Sequence, residues 1–335
     1  MPYSFIHEEL CPACPYNVCV EDRRANPVRG RSTRFRLKQS TAMECTFGEF
    51  VPGTESDPAS HRTFDEHLAQ FRRNALEAGR TLYGEEFGIP SAALAKIEGD
   101  VFELLEAAAL WNAFSVWNRF MDTSTWGSDL FSVPKRAVAT PTRKAAVLKL
   151  PRGYDATLLF KPQVRASIQA HEAALRLRGL ELGLSAPDIV GVRIPEPMPG
   201  GFEPFLHALP DLGTASRATL ESMYREVEGT LEGRSFLFAI AIKRTTRIDR
   251  LYQPLFEANI LKYLIEVVLR GAAFRFHVHL GSFEGADVEG HYNAASLISL
   301  IRGGEPARAV DHLYHAERPI EAAQLILDGL PLFPL

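Results

Sequence analysis

The segment that most constrains this chain is a run of seven apolar residues, Phe236 to Ile242. An uninterrupted apolar strand is buried on both faces, as in the centre of a sheet covered by helices. Further strands are predicted at 144–150, 156–160, 189–194 and 274–280, and helices at about 62–84, 91–122, 163–180 and 249–269. Because strands and helices interleave, the sequence predicts an α/β protein with a central sheet covered on both sides.

The composition is that of an ordinary globular protein. The 335 residues are 46% hydrophobic and 23% charged, with a formal net charge of −4. No apolar run approaches the ~20 residues that span a bilayer, and Met1 to Leu10 do not resemble a signal peptide. We therefore expect a soluble, cytoplasmic protein with no membrane partner. The slight acidity argues against a non-specific nucleic-acid binder, because such proteins are usually basic.

Two basic clusters lie in this acidic chain. Residues 23–38 hold seven basic side chains and no acid, and residues 243–250 hold four basic side chains and one acid, Asp249. Each cluster is either a solvated face or a binding site for a polyanion. Focused positive patches on an acidic body suit a protein that must dissociate readily from the wrong DNA.

Four cysteines lie near the N-terminus: Cys11, Cys14, Cys19 and Cys45. Cys11 and Cys14 have the spacing of half a zinc site, and the other two would complete a Cys₄ set. No second Cys-x-x-Cys or histidine pair accompanies them, which favours reduced thiols over a zinc ion.

The helix at 91–122 carries a carboxylate on an apolar face. Glu103, Ala107, Leu110 and Phe114 follow one another at helical spacing. A carboxylate on such a face is costly unless it is paired or binds a metal ion. Glu103 is therefore a candidate site residue.

Other conspicuous side chains are interpreted as structural. Trp111, Phe114 and Trp117 have helical spacing and are predicted to be core residues, not platforms for stacked bases. His277 and His279 alternate on one strand face and would resemble a metal-binding pair. No third ligand is near them in the sequence, so structural or surface roles are favoured.

Asp188 and Lys243 are candidates for chemistry on a phosphodiester. Asp188 begins one predicted strand, and Lys243 ends the buried one. Metal-dependent hydrolysis needs carboxylates that hold Mg²⁺, which activates a water molecule. A nearby lysine orients that water and offsets the charge that grows on the phosphate. The pair predicts nuclease chemistry, although its spacing alone is not specific.

The metal-binding acid of the usual nuclease motif is displaced in this chain. That motif has a carboxylate two residues before the lysine, and Ala241 occupies the position here. Another carboxylate must complete the metal site, and Glu257, on the helix that follows Lys243, is the candidate. An ordinary exposed helical glutamate is the alternative interpretation of Glu257.

These residues carry a resemblance to a known family. Lys243-Arg-Thr-Thr-Arg247-Ile-Asp249-Arg250, followed by Glu257, resembles the K-x-x-x-R-S-D-R…E signature of the CCGG family of type II restriction endonucleases. Ile248 replaces the usual serine. Within that family the chain is similar to the SgrAI-like branch, through the stretches Asn26-Pro-Val-Arg-Gly-Arg31-Ser-Thr, Thr46-Phe-Gly-Glu, Lys96-Ile-Glu-Gly-Asp-Val-Phe-Glu103, Pro187-Asp188 and Asp249-Arg-Leu-Tyr-Gln-Pro-Leu-Phe-Glu257-Ala-Asn.

The resemblance implies a PD-(D/E)XK restriction-endonuclease-like fold with a central mixed β-sheet flanked by helices. Residues 1–60 would form an N-terminal arm with DNA-contacting loops, and residues 61–335 the catalytic core with embedded recognition elements. Mg²⁺, for which Mn²⁺ would substitute, would be bound by Asp188, Glu103, Glu257 and the backbone carbonyl of Ile242. Lys243 would be the catalytic lysine, and in-line attack by water would leave 5′-phosphate and 3′-hydroxyl ends.

Arg247, Asp249 and Arg250 suit direct readout of G·C pairs. Arginine bonds guanine O6 and N7 together, and a carboxylate accepts from cytosine N4; an internal salt bridge is the structural alternative. The resemblance implies a CCGG core. Arg31 and Lys96 match positions that act on the outer bases, which predicts cleavage at CR^CCGGYG with 5′-CCGG overhangs.

A palindromic site implies a two-fold symmetric homodimer on double-stranded DNA, and the resemblance adds higher-order oligomers or filaments. Two other functions stay open. A PD-(D/E)XK nuclease of repair or recombination would share the chemistry but lack a fixed palindrome. A non-cleaving DNA-binding regulator is disfavoured because Glu103, Asp188, Lys243 and Glu257 are all present.

Overall fold

The computed structural model describes residues 19–22, 34–37, 61–83, 85, 88–89, 91–138, 144–183, 186–210, 214–244, 248–271, 274–283, 288–293 and 307–333. The chain divides into two compact units, one made of residues 1–105 and 209–218 and the other of residues 106–208 and 219–335. The division at residue 60 between an arm and a core stays a prediction. None of the described helices has the length and apolarity needed to cross a membrane.

The first unit contains a short ribbon and helical segments. Strands β1 (Cys19–Asp22) and β2 (Arg34–Leu37) pair antiparallel, within a segment for which the sequence predicts loops. Helix α1 (Phe64–Tyr83) begins after Thr63, whose hydroxyl accepts from the Glu66 N–H at 3.1 Å. Helix α2 (Ser91–Thr123) runs from this unit into the second. Within the first unit, the ring of Phe64 stacks on that of Phe102 at 4.0 Å.

The second unit is built on a five-stranded sheet. Its strands, in spatial order, are β3 (Ala145–Lys149), β4 (Ile189–Arg193), β5 (Phe236–Lys243), β6 (Arg275–Leu280) and β7 (His312–Tyr314). The pairs β3–β4 and β4–β5 are antiparallel, whereas β5–β6 and β6–β7 are parallel. The prediction of a central mixed sheet is confirmed.

Helices flank this sheet. After α2 they are α3 (Pro162–Arg176), α4 (Thr214–Val227), α5 (Ile248–Lys262), α6 (Val288–Tyr292) and α7 (Pro319–Gly329). Helix α5 continues as a π-helical segment, Tyr263–Val268. Helix α5 packs on β6, the strand next to the central strand β5.

The central strand β5 is buried on both faces, as its apolar run predicts. On one face the Phe238 ring meets the Phe114 ring of α2 edge-on, with 5.9 Å between centroids. On the other face, Ala239 and Ala241 have no exposed surface. Trp111, Phe114 and Trp117 are all buried, so their assignment to the core is confirmed.

The strand predicted at 156–160 is wrong. Ala156–Leu159 forms a 3₁₀ turn because Asp155 caps it: Asp155 Oδ1 accepts from the Thr157 N–H at 3.0 Å and from its hydroxyl at 2.6 Å. Only Phe160 makes an isolated bridge, to Leu231. A short polar cap thus overrides the β propensity of the apolar residues that follow.

Candidate active site

The side chain of Asp188 joins the ends of two strands. Its Oδ2 accepts a hydrogen bond from the Ile242 backbone N–H at 2.7 Å and another from Lys243 Nζ at 3.2 Å. Its backbone carbonyl accepts from the Leu150 N–H at 3.0 Å, which fixes the residue against β3 as well. The side chains of Asp188 and Lys243 are only 14% and 10% exposed, so water screens their charges weakly. The carboxylate and amine singled out in the sequence are therefore in contact.

The antiparallel register of β4 and β5 explains this contact. Ile189 is paired with Ile240, so continuing the register brings the residues before β4 alongside the end of β5. Pro187 then falls opposite Ile242, and proline has no N–H to donate. The ladder stops there, and the Asp188 carboxylate takes over the Ile242 N–H that a longer β4 would have paired.

The Ile242 carbonyl points to the same strand edge as the Ile242 N–H. In an antiparallel pair, the N–H and C=O of one residue face the same neighbour. Lys243, the next residue, faces the opposite edge, where its carbonyl accepts from the Gly281 N–H at 3.0 Å. Since Pro187 cannot donate to the Ile242 carbonyl, β4 supplies no ladder hydrogen bond to this oxygen. Two oxygen atoms that can bind a metal ion, one from Asp188 and one from Ile242, thus lie at the same edge of β5.

This donor set fits Mg²⁺. The ion prefers oxygen ligands and is commonly held by one or two carboxylates, with waters and substrate phosphates filling the remaining positions. Asp188 uses only Oδ2 in its contacts with described residues, which leaves Oδ1 for a cation. No three His, Cys, Asp or Glu side chains among the described residues are grouped as metal ligands.

Glu257 is a buried residue of α5, not an exposed helical glutamate. Its Oε1 accepts from Gln253 Nε2, one helical turn earlier, at 2.7 Å. Burial raises the pKa of Tyr292, and the negative charge of nearby Glu257 raises it further. The described contacts link Glu257 to Gln253, and its role as a metal ligand stays a prediction.

Glu103 is buried, as its apolar helix face predicts. It belongs to the first compact unit, whereas Asp188, Lys243 and Glu257 belong to the second. Its participation in a metal site stays a prediction. Lys96 lies on α2, but its side chain is outside the described part of the chain.

The predicted DNA-reading and zinc-binding residues fall largely outside the described structure. Asp249 and Arg250 lie in the first turn of α5 and Cys19 lies in β1, and only their backbone is described. The remaining ones lie beyond the described ranges, namely Arg31, Arg247, Cys11, Cys14 and Cys45. DNA contacts and zinc binding by these residues stay predictions.

A buried polar network near Lys243 was not predicted. Glu106 on α2 accepts from the Tyr314 hydroxyl at 2.7 Å and contacts His279 Nδ1 at 2.5 Å. Neither Glu106 nor His279 has any exposed surface. His279 and His277 are thus structural residues inside the sheet, and surface positions for them are excluded. Glu106 lies beside Glu103 on the helix, which is the one sequence signal that would have drawn attention to it.

The family model described as the Cfr10I/Bse634I restriction endonuclease matches residues 60–330. A solved structure of the type IIF restriction endonuclease Bse634I with cognate DNA has a TM-score of 0.71 at 16% identity, covering 95% of this chain and 98% of that chain. A second Bse634I restriction endonuclease structure has a TM-score of 0.71 at 17% identity, covering 94% and 97%. At such identities the structures show a shared fold. No curated protein sequence matches this chain.

Proposed function

This chain belongs to the Cfr10I/Bse634I restriction endonuclease family and is a site-specific deoxyribonuclease, and from that premise we propose that it cleaves both strands of a palindrome with a CCGG core. The proposed site is CR^CCGGYG, cut to leave 5′-phosphate ends and 5′-CCGG overhangs. Arg247, Asp249 and Arg250 would read the core, because their donors and acceptor match guanine and cytosine edges. Arg31 and Lys96 would read the outer bases.

The proposal rests mainly on the contacts of Asp188 with the Ile242 N–H and the Lys243 amine. A carboxylate and an amine, both largely buried, lie 3.2 Å apart at the end of the central strand. When bound, Mg²⁺ polarises the phosphate and lowers the pKa of a water molecule. Lys243 would hold that water in line with the scissile bond and offset the charge that develops on the phosphate.

The proposed Mg²⁺ ligands are Asp188, the Ile242 carbonyl, Glu257 and Glu103, and Mn²⁺ would substitute. The Oδ1 atom of Asp188 and the Ile242 carbonyl support this set, because both are oxygens at one strand edge. Burial of Glu257 supports its inclusion, since a carboxylate removed from water is stabilised by a cation. The Gln253 side chain, which donates to Glu257 Oε1, would hold this carboxylate in one orientation.

The symmetry of the proposed DNA site also determines the oligomeric state that we propose. A palindrome is matched by a two-fold symmetric homodimer in which each subunit cuts one strand. Readout and chemistry would be coupled within each subunit, because α5, whose first turn holds Asp249 and Arg250, begins only five residues after Lys243. We further propose that dimers associate on DNA into larger oligomers, which sedimentation with cognate DNA would detect.

The deciding experiment maps the ends of cut DNA. Phage DNA digested with Mg²⁺ should give discrete fragments whose ends are 5′-phosphorylated CCGG overhangs. A smear or structure-specific nicks would instead indicate a repair or recombination nuclease. Sequence-specific binding without cleavage, under the same conditions, would indicate a regulator.

The matched test of the chemistry is Lys243→Ala. We expect cleavage to fall by roughly 10²-fold or more, because a group that stabilises transition-state charge is lost, while specific DNA binding is retained. Lys144→Ala is the control, since Lys144 also pairs with a carboxylate, Asp122, but at the start of β3. It should leave the cleavage rate unchanged. Equal losses in both variants would refute the assignment of Lys243.

A further inference from the structure

Three side chains from separate elements form a polar network in the second unit. Glu106 comes from α2, His279 from β6 and Tyr314 from β7. Glu106 Oε2 lies 2.5 Å from His279 Nδ1, and Glu106 Oε1 accepts from the Tyr314 hydroxyl at 2.7 Å. The rings of His279 and Tyr314 stack, with centroids 4.7 Å apart. The carboxylate thus binds one donor from each of two neighbouring strands.

The hydrogen-bond partners of His279 indicate which tautomer its imidazole adopts. The Ala316 backbone N–H donates to His279 Nε2 at 3.3 Å, so Nε2 is an acceptor and carries no proton. The ring proton is therefore on Nδ1, from which it is donated to Glu106 Oε2. Burial and the Glu106 carboxylate raise the pKa of Tyr314, so the phenol keeps its proton and remains a donor. Each of the three side chains is held in one orientation.

The network lies beside the end of the catalytic strand. In the parallel register of β5 and β6, His279 is paired with Ile242 and Leu280 with Lys243. Tyr314 is paired in turn with His279. Paired residues of neighbouring strands point to the same face, so the His279 side chain is anchored next to Ile242. The network therefore fastens the β6 edge of the segment whose other edge carries Asp188.

Stability alone is a poor reason for such a network. Replacing a buried ionic or polar cluster by apolar residues of similar volume is often neutral or stabilising. What such a network adds is a single register and orientation of the elements that it joins. At an active site such fixation matters, because displacement of a reacting group by about 1 Å costs on the order of 10²-fold in rate.

We propose that Glu106, His279 and Tyr314 are positioning residues for cleavage, which hold β6 so that the Ile242 carbonyl and the Lys243 amine stay aligned with Asp188. This inference rests on the proposed function of that site. None of the three touches DNA or metal in this role, and they act through the strand pairing. Loss of the network should therefore lower the rate of the chemical step and leave DNA affinity nearly unchanged.

The test compares single-turnover cleavage in Mg²⁺ with DNA affinity measured without metal. Glu106→Gln should slow cleavage by roughly 10²-fold, because the glutamine amide cannot accept hydrogen bonds from both His279 and Tyr314. DNA affinity should change less than about threefold. His279→Asn keeps a donor near the Nδ1 position, so it should cleave faster than His279→Leu. Tyr314→Phe removes one hydrogen bond and little volume, and should give a smaller loss in a folded protein.

Nuclear magnetic resonance supplies a readout that does not depend on catalysis. The Nδ1 proton, held in a short bond to a buried carboxylate, should appear far downfield in the unmutated protein. It should be absent from Glu106→Gln and His279→Asn, and it should persist in Tyr314→Phe. An Nε2-bound proton on His279 in the unmutated protein would overturn the inference.

The control is a half-buried carboxylate at the other end of β6. Asp311 Oδ2 accepts from the Phe276 N–H at 2.7 Å and pairs with Lys262 Nζ at 2.8 Å. Asp311→Asn should lower thermal stability but leave the single-turnover rate unchanged. Equal slowing by Asp311→Asn and Glu106→Gln would overturn the inference, as would normal cleavage by Glu106→Gln. Failure of the unmutated protein to cleave any DNA would instead refute the proposed function and the inference with it.

Discussion

Acidification should unfold this protein partly through one histidine, His277. Burial in the sheet lowers the pKa of His277 to about 3, and the positive charges of His312, Arg275 and Lys262 add to this effect. Its ring meets the Phe238 ring edge-on at 5.8 Å. One ring nitrogen, Nε2, is buried without a hydrogen bond to any described residue. The folded state therefore holds the neutral imidazole between an aromatic ring and nearby cations, a setting that does not stabilise a proton.

The sign and size of the pH effect follow from this shift. An unfolded histidine titrates near pH 6.5, so below that pH the unfolded chain binds a proton that the folded chain does not bind. His277 therefore contributes stability that is fully present above about pH 6.5 and is lost as the pH falls toward about 3. Since one pKa unit corresponds to about 1.4 kcal/mol, the loss between pH 7 and pH 5 is about 2 kcal/mol. Burial also lowers the pKa of His312, which adds a loss of the same sign.

The assay is urea unfolding at pH 5 and pH 7 for the unmutated protein and His277→Leu. The leucine variant should lose about 2 kcal/mol less than the unmutated protein over this interval. His207→Leu is the control, because His207 is exposed and its replacement should keep the original pH dependence. An identical change in unfolding free energy for all three proteins would refute the argument that His277 is buried in its neutral form.

Two substitutions around β4 should have separable effects. Pro187→Ala supplies an N–H that can donate to the Ile242 carbonyl, so Mn²⁺ affinity, followed by titration calorimetry, should fall by roughly fivefold to tenfold, the equivalent of about one hydrogen bond. Gly191→Ala should lower the free energy of unfolding by about 1–3 kcal/mol in thermal or urea melts, because its Cβ would lie 2.1 Å from Phe238 Cε1.

Each of these substitutions has a control elsewhere in the second unit. Pro195→Ala changes a proline just beyond the other end of β4 and should leave Mn²⁺ affinity unaltered. Gly200→Ala introduces a Cβ that meets no atom within 4 Å and should melt close to the unmutated protein. A Gly191→Ala variant as stable as Gly200→Ala would contradict the packing argument. Unchanged Mn²⁺ affinity in Pro187→Ala would contradict the role of the Ile242 carbonyl.

The sheet was largely predictable because its strands carry strong local patterns. Predicted strands at 144–150, 189–194 and 236–242 agree closely with β3, β4 and β5. The three-residue strand β7 was missed, since a segment that short has no detectable periodicity. The helix predicted at 249–269 ends as an α-helix at Lys262 and continues in π-helical form, a change that apolar spacing does not encode.

The candidate site was predictable only in part, because side-chain pairing is a tertiary property. The contact between Asp188 and Lys243 follows once β4 and β5 are known to be antiparallel, since their facing ends bring the two residues together. No local sequence pattern indicates that Glu106 contacts His279, because the two residues are 173 positions apart in the chain. The spacing of Glu103 predicts a buried face of α2, and both Glu103 and Glu106 are buried there. Periodicity assigns a residue to a face but does not name its partner.

The loss of the usual acid at Ala241 has a structural consequence. A carboxylate there would be part of β5 itself, whereas this strand ends with only a backbone carbonyl and Lys243. Correct placement of those two groups then depends on what holds the strand at each edge. On the β4 edge, Asp188 takes the Ile242 N–H, and on the β6 edge the Gly281 N–H binds the Lys243 carbonyl. Because β5 contributes no acid of its own, preorganisation of its end must come from neighbouring strands. Substitutions that displace β4 or β6 beside this strand end should therefore slow cleavage even when they touch neither metal nor DNA.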